Sequence, residues 1–249
     1  MRYSEKTTGD RNPIKRFVQR RRLADALGTL DHLDGRFSGS LLDYGAGGGE
    51  LTGMLARRFP ASAVVCYEPA PELMREAEGD LAGLGNVELA RSFDDLKGRR
   101  FDHALCLEVF EHLPPRQTEQ AVRRLDRLLK PGGTLVVGVP NELFAPALLK
   151  GLFRMTRRYG AFDARPANVL GATLGRPPKD RPVRRIARGL PYHPAHTGFD
   201  HRKLKDRLSE TFDPVRSFGS PIDAAPWLLG SEIYLVFRSR TRQPPRPSA

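Results

Sequence analysis

Leu41-Leu42-Asp43-Tyr44-Gly45-Ala46-Gly47-Gly48-Gly49-Glu50 is a short apolar run, an acid, glycines at positions 45, 47 and 49, then a helical pattern through Leu51, Met54 and Leu55. It reads as strand, tight turn, helix. Glycine has no Cβ and accepts positive φ, so such a turn lets the backbone approach a ligand closely. The helix start that follows offers free N–H groups. A nucleotide-like ligand is therefore the expectation. A dinucleotide fingerprint requires G-x-G-x-x-G/A with a small third residue. Gly45 and Gly47 fit it, but position 50 is Glu, and the pattern present is Asp-x-Gly-x-Gly-x-Gly from Asp43 to Gly49.

Working outward, residues 63–67 read as a second buried strand ending in Glu68, an acid placed to take ribose hydroxyls. Residues 86–90 read as a third strand, followed by Arg91-Ser92-Phe93-Asp94. There Phe93 is either a base-stacking ring or a core aromatic, and Ser92 or Asp94 can bond a base edge. Residues 101–107 and 134–139 read as the fourth and fifth strands. Helical patterns over 51–59, 71–79 and 117–129 separate them. Alternating strand and helix predict an α/β, Rossmann-like fold. The expected sheet has seven mostly parallel strands with helices on both faces and an antiparallel last strand. A cap is expected after strand five. The last two strands are expected near 214–218 and 232–238, together forming an antiparallel edge.

Four motifs, LLDYGAGGGE, VVCYEP, FDHALCLEVFEHL and LLKPGGTLVVGVPN, resemble the class I S-adenosylmethionine-dependent methyltransferases of the small-molecule type. The resemblance covers roughly residues 40–141 closely and the rest loosely. It implies S-adenosylmethionine or S-adenosylhomocysteine as the bound cofactor. It implies that Asp43, Gly45, Ala46 and Gly47 frame the methionine part. Glu68, beside Pro69, would hold the ribose, and Ser92 and Phe93 would flank the adenine. Leu107 and Glu108 would line the methyl-donor site. Ser92 stands where many relatives carry an acid.

The chain has 249 residues and a formal net charge of +12. This length supports one domain, or one domain with an insertion. The expected division is a basic helical segment over 1–35, a cofactor-binding core over 36–141 and a basic cap over 142–194. Residues 195–240 complete the core, and 241–249 form a disordered tail rich in Pro and Arg. Cys66 and Cys106 fall in predicted strands and read as reduced core thiols of a cytoplasmic protein. No apolar run approaches the roughly 20 residues of a membrane-spanning helix. Arg11, Lys15, Arg16, Arg20, Arg21 and Arg22 crowd the first helix, and eleven Lys and Arg lie between 150 and 188, opposed only by Asp163 and Asp180. Such a field draws anions: acidic lipid headgroups, nucleic acid, or acidic substrates. The helical pattern over 144–159 is amphipathic and basic, so it is either a lid helix or a membrane-surface helix. The sequence after it, up to Gly189, reads as loop.

Glu108-Val109-Phe110-Glu111-His112 follows strand four. On a helix, positions i, i+3 and i+4 share a face. Glu108, Glu111 and His112 would then converge, with His196 or His193 as a further ligand. Two carboxylates and imidazoles can hold Mg²⁺, Mn²⁺ or Fe²⁺. The E-x-x-E-H arrangement resembles two metal-dependent branches of the family, one methylating quinone precursors and one the terminal ribose of small RNAs. A metal-free reading makes His112, with Glu111, the catalytic pair, His112 being a general base or a structural histidine. His196 and Arg154 are the expected substrate contacts. The favoured function is methyl transfer to a hydroxyl, less readily an amine, of a small-molecule, glycan or lipid-linked acceptor. The alternatives are a ribose methyltransferase of RNA and a non-catalytic cofactor-binding protein, either tethered to a membrane or free.

Overall fold

The computed structural model describes residues 13–187, 189–221, 223 and 225–240. Arg11, Arg188 and the expected disordered tail lie outside the described residues. In chain order the elements are α1 (Pro13–Gly28), β1 (Ser40–Tyr44), α2 (Glu50–Arg58), β2 (Ala63–Tyr67), α3 (Pro71–Asp80) and β3 (Val87–Ala90). There follow β4 (Phe101–Leu107), α4 (Pro115–Leu128), β5 (Leu129–Pro140), α5 (Phe144–Arg158), α6 (Pro166–Thr173), β6 (Arg184–Ala187) and β7 (Leu190–Tyr192). The chain closes with α7 (His201–Ser209), β8 (Phe212–Ser220), α8 (Pro226–Leu229) and β9 (Glu232–Ser239). Pro71, Pro115 and Pro166 open α3, α4 and α6. At that position the missing N–H costs nothing and the fixed φ suits the helix.

The seven-stranded sheet has the order β3-β2-β1-β4-β5-β9-β8. The first five strands are parallel, and β9 runs antiparallel to both β5 and β8. The last strand is thus antiparallel, and β9 and β8 together form an antiparallel edge, as expected, with β9 inserted between β5 and β8. Its Ile233–Phe237 run is apolar at every position and buried on both faces, which suits an interior strand.

Side chains along a strand alternate between faces. Leu42, Tyr44, Val65, Ala104, Val137 and Leu235 pack with α4 and α7 on one face. Leu41, Val64, Leu105, Val136 and Tyr234 pack with α1 and α2 on the other. The two cysteines are buried and unpaired. No helix among the described residues is long and apolar enough to cross a membrane.

The segment after β5 is more ordered than the sequence suggests. Its first helix, α5, is as expected. The Pro- and Gly-rich remainder holds α6 and the hairpin β6–β7, whose strands pair antiparallel.

Candidate active site

Strand order reverses between β1 and β4, the position where open α/β sheets bind ligands beyond the carboxyl ends of the strands. The glycine loop leaves β1 there. Gly45 and Ala46 donate their N–H groups to the Tyr67 carbonyl at 2.8 and 2.9 Å, tying the loop to β2. Gly45 has φ +80°, and a Cβ on it would lie 2.5 Å from Val109 Cγ2. Both facts require glycine. Gly47, at φ +56°, donates its N–H to Glu68 Oε2 at 2.9 Å, while Ala70 donates to Glu68 Oε1 at 2.7 Å. Burial raises the Glu68 carboxyl above its usual range, and these two donors oppose the rise. Pro69 is half-buried between them. Asp43 is buried on β1 and accepts the Thr52 hydroxyl of α2 at 2.7 Å. Its burial pushes the carboxyl up to about 7.

Ser92 caps the 3₁₀ turn Phe93–Leu96, its N–H donating to Asp95 Oδ2 at 2.9 Å. Phe93 is half-buried against the core, and the Arg124 guanidinium lies 4.4 Å from its ring centroid. One face of that ring is therefore covered by a cation. Asp94 pairs with Lys97.

Leu107 is half-buried at the end of β4, beside Gly138 of β5. The next residue, Glu108, has φ +55°, so the chain turns left-handed before the 3₁₀ turn Phe110–His112 begins. This separates Glu108 from the face it was expected to share with Glu111 and His112. Its carboxylate pairs with Arg22 of α1, which also reaches Glu232 of β9 at 3.3 Å.

Glu111, His112 and His196 do come together, with one donor atom from each lying within 4.8 Å of the others. Glu111 is fully buried, and neither carboxylate oxygen has a hydrogen-bond partner. Burial raises its pKa well above the carboxylate range. His112 Nε2 lies 3.8 Å from Glu111 Oε1 and 3.3 Å from His196 Nε2. His112 Nδ1 lies 2.8 Å from the His193 carbonyl oxygen. A carbonyl only accepts, so Nδ1 carries the proton and the lone pair sits on Nε2. Burial lowers the pKa of both imidazoles, His196 to about 3, so both are neutral. His193 does not join them; its ring Nδ1 faces the Pro182 carbonyl at 3.0 Å.

Arg154 has partners other than the expected substrate. It grips Glu142 through two parallel bonds of 2.8 and 2.9 Å and donates to Thr197 Oγ1 at 2.8 Å. Lys150 also meets Glu142, at 3.3 Å. The paired cations hold Glu142 down at about 2 despite its burial. Arg181 donates to the carbonyls of Glu111 and Ala195 at 2.5 and 2.7 Å, joining the turn after β4 to the histidine loop. The sequence reading missed Glu142, Thr197, Arg181, Thr52 and Arg22. Only Glu142 carried a signal, being an acid just past the end of a buried strand.

Residues 42–135 match the family described as "Methyltransferase domain". The match runs from β1 into β5. Beyond it, the chain is similar to the "Ubiquinone biosynthesis O-methyltransferase" of Xanthomonas oryzae pv. oryzae (strain PXO99A). Identity is 34% over 123 residues, 45% of this chain and 49% of that protein. The enzyme of the same name from Xylella fastidiosa (strain 9a5c) is 34% identical over 128 residues, 48% of this chain and 50% of its own. The chain thus spans about half the length of the curated relatives it matches. The N-methyltransferase NodS from Bradyrhizobium japonicum WM9, solved with S-adenosyl-L-homocysteine, superposes with a TM-score of 0.55 at 17% identity. That match covers 93% of this chain and 90% of NodS. The 1,6-didemethyltoxoflavin-N1-methyltransferase of Burkholderia thailandensis gives 0.56 at 19%, covering 90% and 81%. At these identities the structures show the fold, and the glycine loop lies within the matched residues 42–135.

Proposed function

We propose that this chain is an S-adenosylmethionine-dependent methyltransferase acting on a hydroxyl of a small-molecule, glycan or lipid-linked acceptor. The observation that carries the reading is His112. Its Nδ1–H is held by the His193 carbonyl, so its Nε2 lone pair is fixed toward Glu111 and His196, just beyond the end of β4. A neutral imidazole held in this tautomer is a general base for an acceptor hydroxyl.

The residues around the loop suit the donor. Gly45 and Gly47 leave backbone free of side chains, and Glu68 offers a carboxylate at the end of β2 where a ribose is expected. The donor, when bound, supplies a methyl group already activated by its sulfonium. The acceptor O–H proton passes to His112 Nε2. With the donor bound, the acceptor oxygen would bond to the methyl carbon and the carbon–sulfur pair would stay on sulfur. Positioning and exclusion of water contribute the rest of the rate.

The donor set Glu111, His112 and His196 also suits a divalent ion such as Mg²⁺ or Mn²⁺. A buried carboxyl without a partner and two neutral imidazoles are the groups such an ion would take. It would lower the pKa of an acceptor hydroxyl. Glu108, paired with Arg22, is not part of that set.

The test is S-adenosylhomocysteine release with a panel of phenols, catechols, sugars and amines, with and without Mn²⁺. His112→Gln should lower kcat by about 10²-fold or more and leave calorimetric affinity for S-adenosylhomocysteine unchanged. Undiminished turnover in His112→Gln would remove the base from the proposal. Preference for amines over every hydroxyl tried would replace the acceptor class.

A further inference from the structure

We propose that the outer face of α5, with its neighbours α6 and α8, is a docking surface for an anionic lipid membrane. The surface lies outside the catalytic groups named above. Leu148, Leu149, Leu152 and Phe153 fall at i, i+1, i+4 and i+5, which places them on one stripe of the helix. Leu149 is 69% exposed and Phe153 60%. The opposite stripe is committed to the protein. Ala147 and Gly151 are buried, a Cβ on Gly151 would collide with Val169 of α6, and Lys150 and Arg154 reach inward to Glu142. The helix therefore cannot turn its apolar stripe inward without breaking that ion pair.

The neighbours extend the patch. α6 buries Val169 and Ala172 and exposes Leu170, and Leu174 just past its end is exposed too. α8 packs against α5 and leaves Leu228 and Leu229 half exposed. A soluble monomer rarely exposes so many large apolar side chains together.

Charge selects the partner. Arg157 borders the stripe, its guanidinium 5.5 Å from the Phe153 ring centroid. Arg165 and Arg176 flank α6 in the chain, Lys179, Arg184 and Arg185 follow in the same segment, and all five are exposed. Of the acids in the same segment, Asp163 is buried against Arg154 and Arg158, leaving only Asp180 exposed. The segment joins an apolar helix stripe to exposed cations, the combination that a helix lying in the headgroup region of an anionic bilayer presents. A nucleic acid would use the arginines and leave the leucines uncovered.

The experiment is sedimentation with vesicles of phosphatidylcholine, alone or mixed with phosphatidylglycerol, at low and high salt. The expected result is binding to the mixed vesicles that salt weakens. Leu149→Glu/Phe153→Glu should lower it about tenfold or more with affinity for S-adenosylhomocysteine unchanged. Arg157→Gln/Arg184→Gln, which leaves the apolar stripe intact, should lower it as well and keeps the test independent of the first variant's folding. Failure to bind, equal binding to neutral vesicles, or variants that bind like the parent would overturn the proposal. So would a dimer in solution that the Leu149→Glu/Phe153→Glu variant splits, since a second copy would then cover the patch. Neither the vesicle assay nor the cofactor titration depends on the acceptor, so failure here is distinct from failure of the proposed function.

Discussion

Glu68 accepts one backbone N–H on each oxygen, from Gly47 and from Ala70. Removing the carboxylate strands both donors, at about 1–3 kcal/mol for each that stays buried. Glu68→Ala is expected to weaken S-adenosylhomocysteine binding at least tenfold by calorimetry, and unchanged affinity would withdraw the ribose assignment. Gly45 carries a different constraint, since a methyl group there meets Val109 at a φ that L-residues avoid. Gly45→Ala should cost about 2 kcal/mol in denaturant unfolding. Adding Val109→Ala should return only the steric part. At this scale the sequence was a good guide to the loop, because glycine spacing is a local signal. It misled at Glu108. The E-x-x-E-H spacing shares a face only on a continuous helix, and the left-handed φ at Glu108 sends its carboxylate to Arg22.

Among elements, α5 is anchored by a buried ion pair. Breaking such a pair is costly because it leaves a buried charge without its partner. Arg154→Met should destabilise by about 3 kcal/mol. In Arg154→Met/Glu142→Leu much of that loss should return, giving a coupling energy that a double-mutant cycle of unfolding free energies measures. Purely additive losses would mean that the pair is not coupled. The amphipathic pattern of α5 was readable because helical periodicity is local. The hairpin β6–β7 and helix α6 were not, since Pro and Gly dominate their flanks and the pairing is set by chain neighbours outside any short window. Arg181 shows the same limit, since its value lies in two carbonyls, those of Glu111 and Ala195, at opposite ends of the site.

For the whole molecule, acid is the expected weakness. Burial lowers His103 and His201 to about 4 and His196 to about 3, from an ordinary value of 6.5. The unfolded chain therefore binds protons that the folded chain refuses, so stability falls as pH drops through 6.5 and the loss levels off below about 3. His103, packed by the rings of Phe37 and His32, accounts for about 3 kcal/mol of this. Melting temperatures of His103→Gln should vary less between pH 7 and pH 5 than those of the parent. An identical slope would exclude His103 as a source. The parallel half of the sheet was legible from five apolar runs separated by helices. The order of the last two strands was not, since antiparallel pairing across 91 intervening residues leaves no local trace. That insertion has a consequence for biosynthesis. The edge of β5 emerges from the ribosome long before β9 exists to cover it, and at 5–20 residues per second the delay is roughly 5–20 s. Through that interval a run as apolar as Leu135 to Val139 stands unpaired, and the nascent chain is expected to need a chaperone's protection until its final strand arrives.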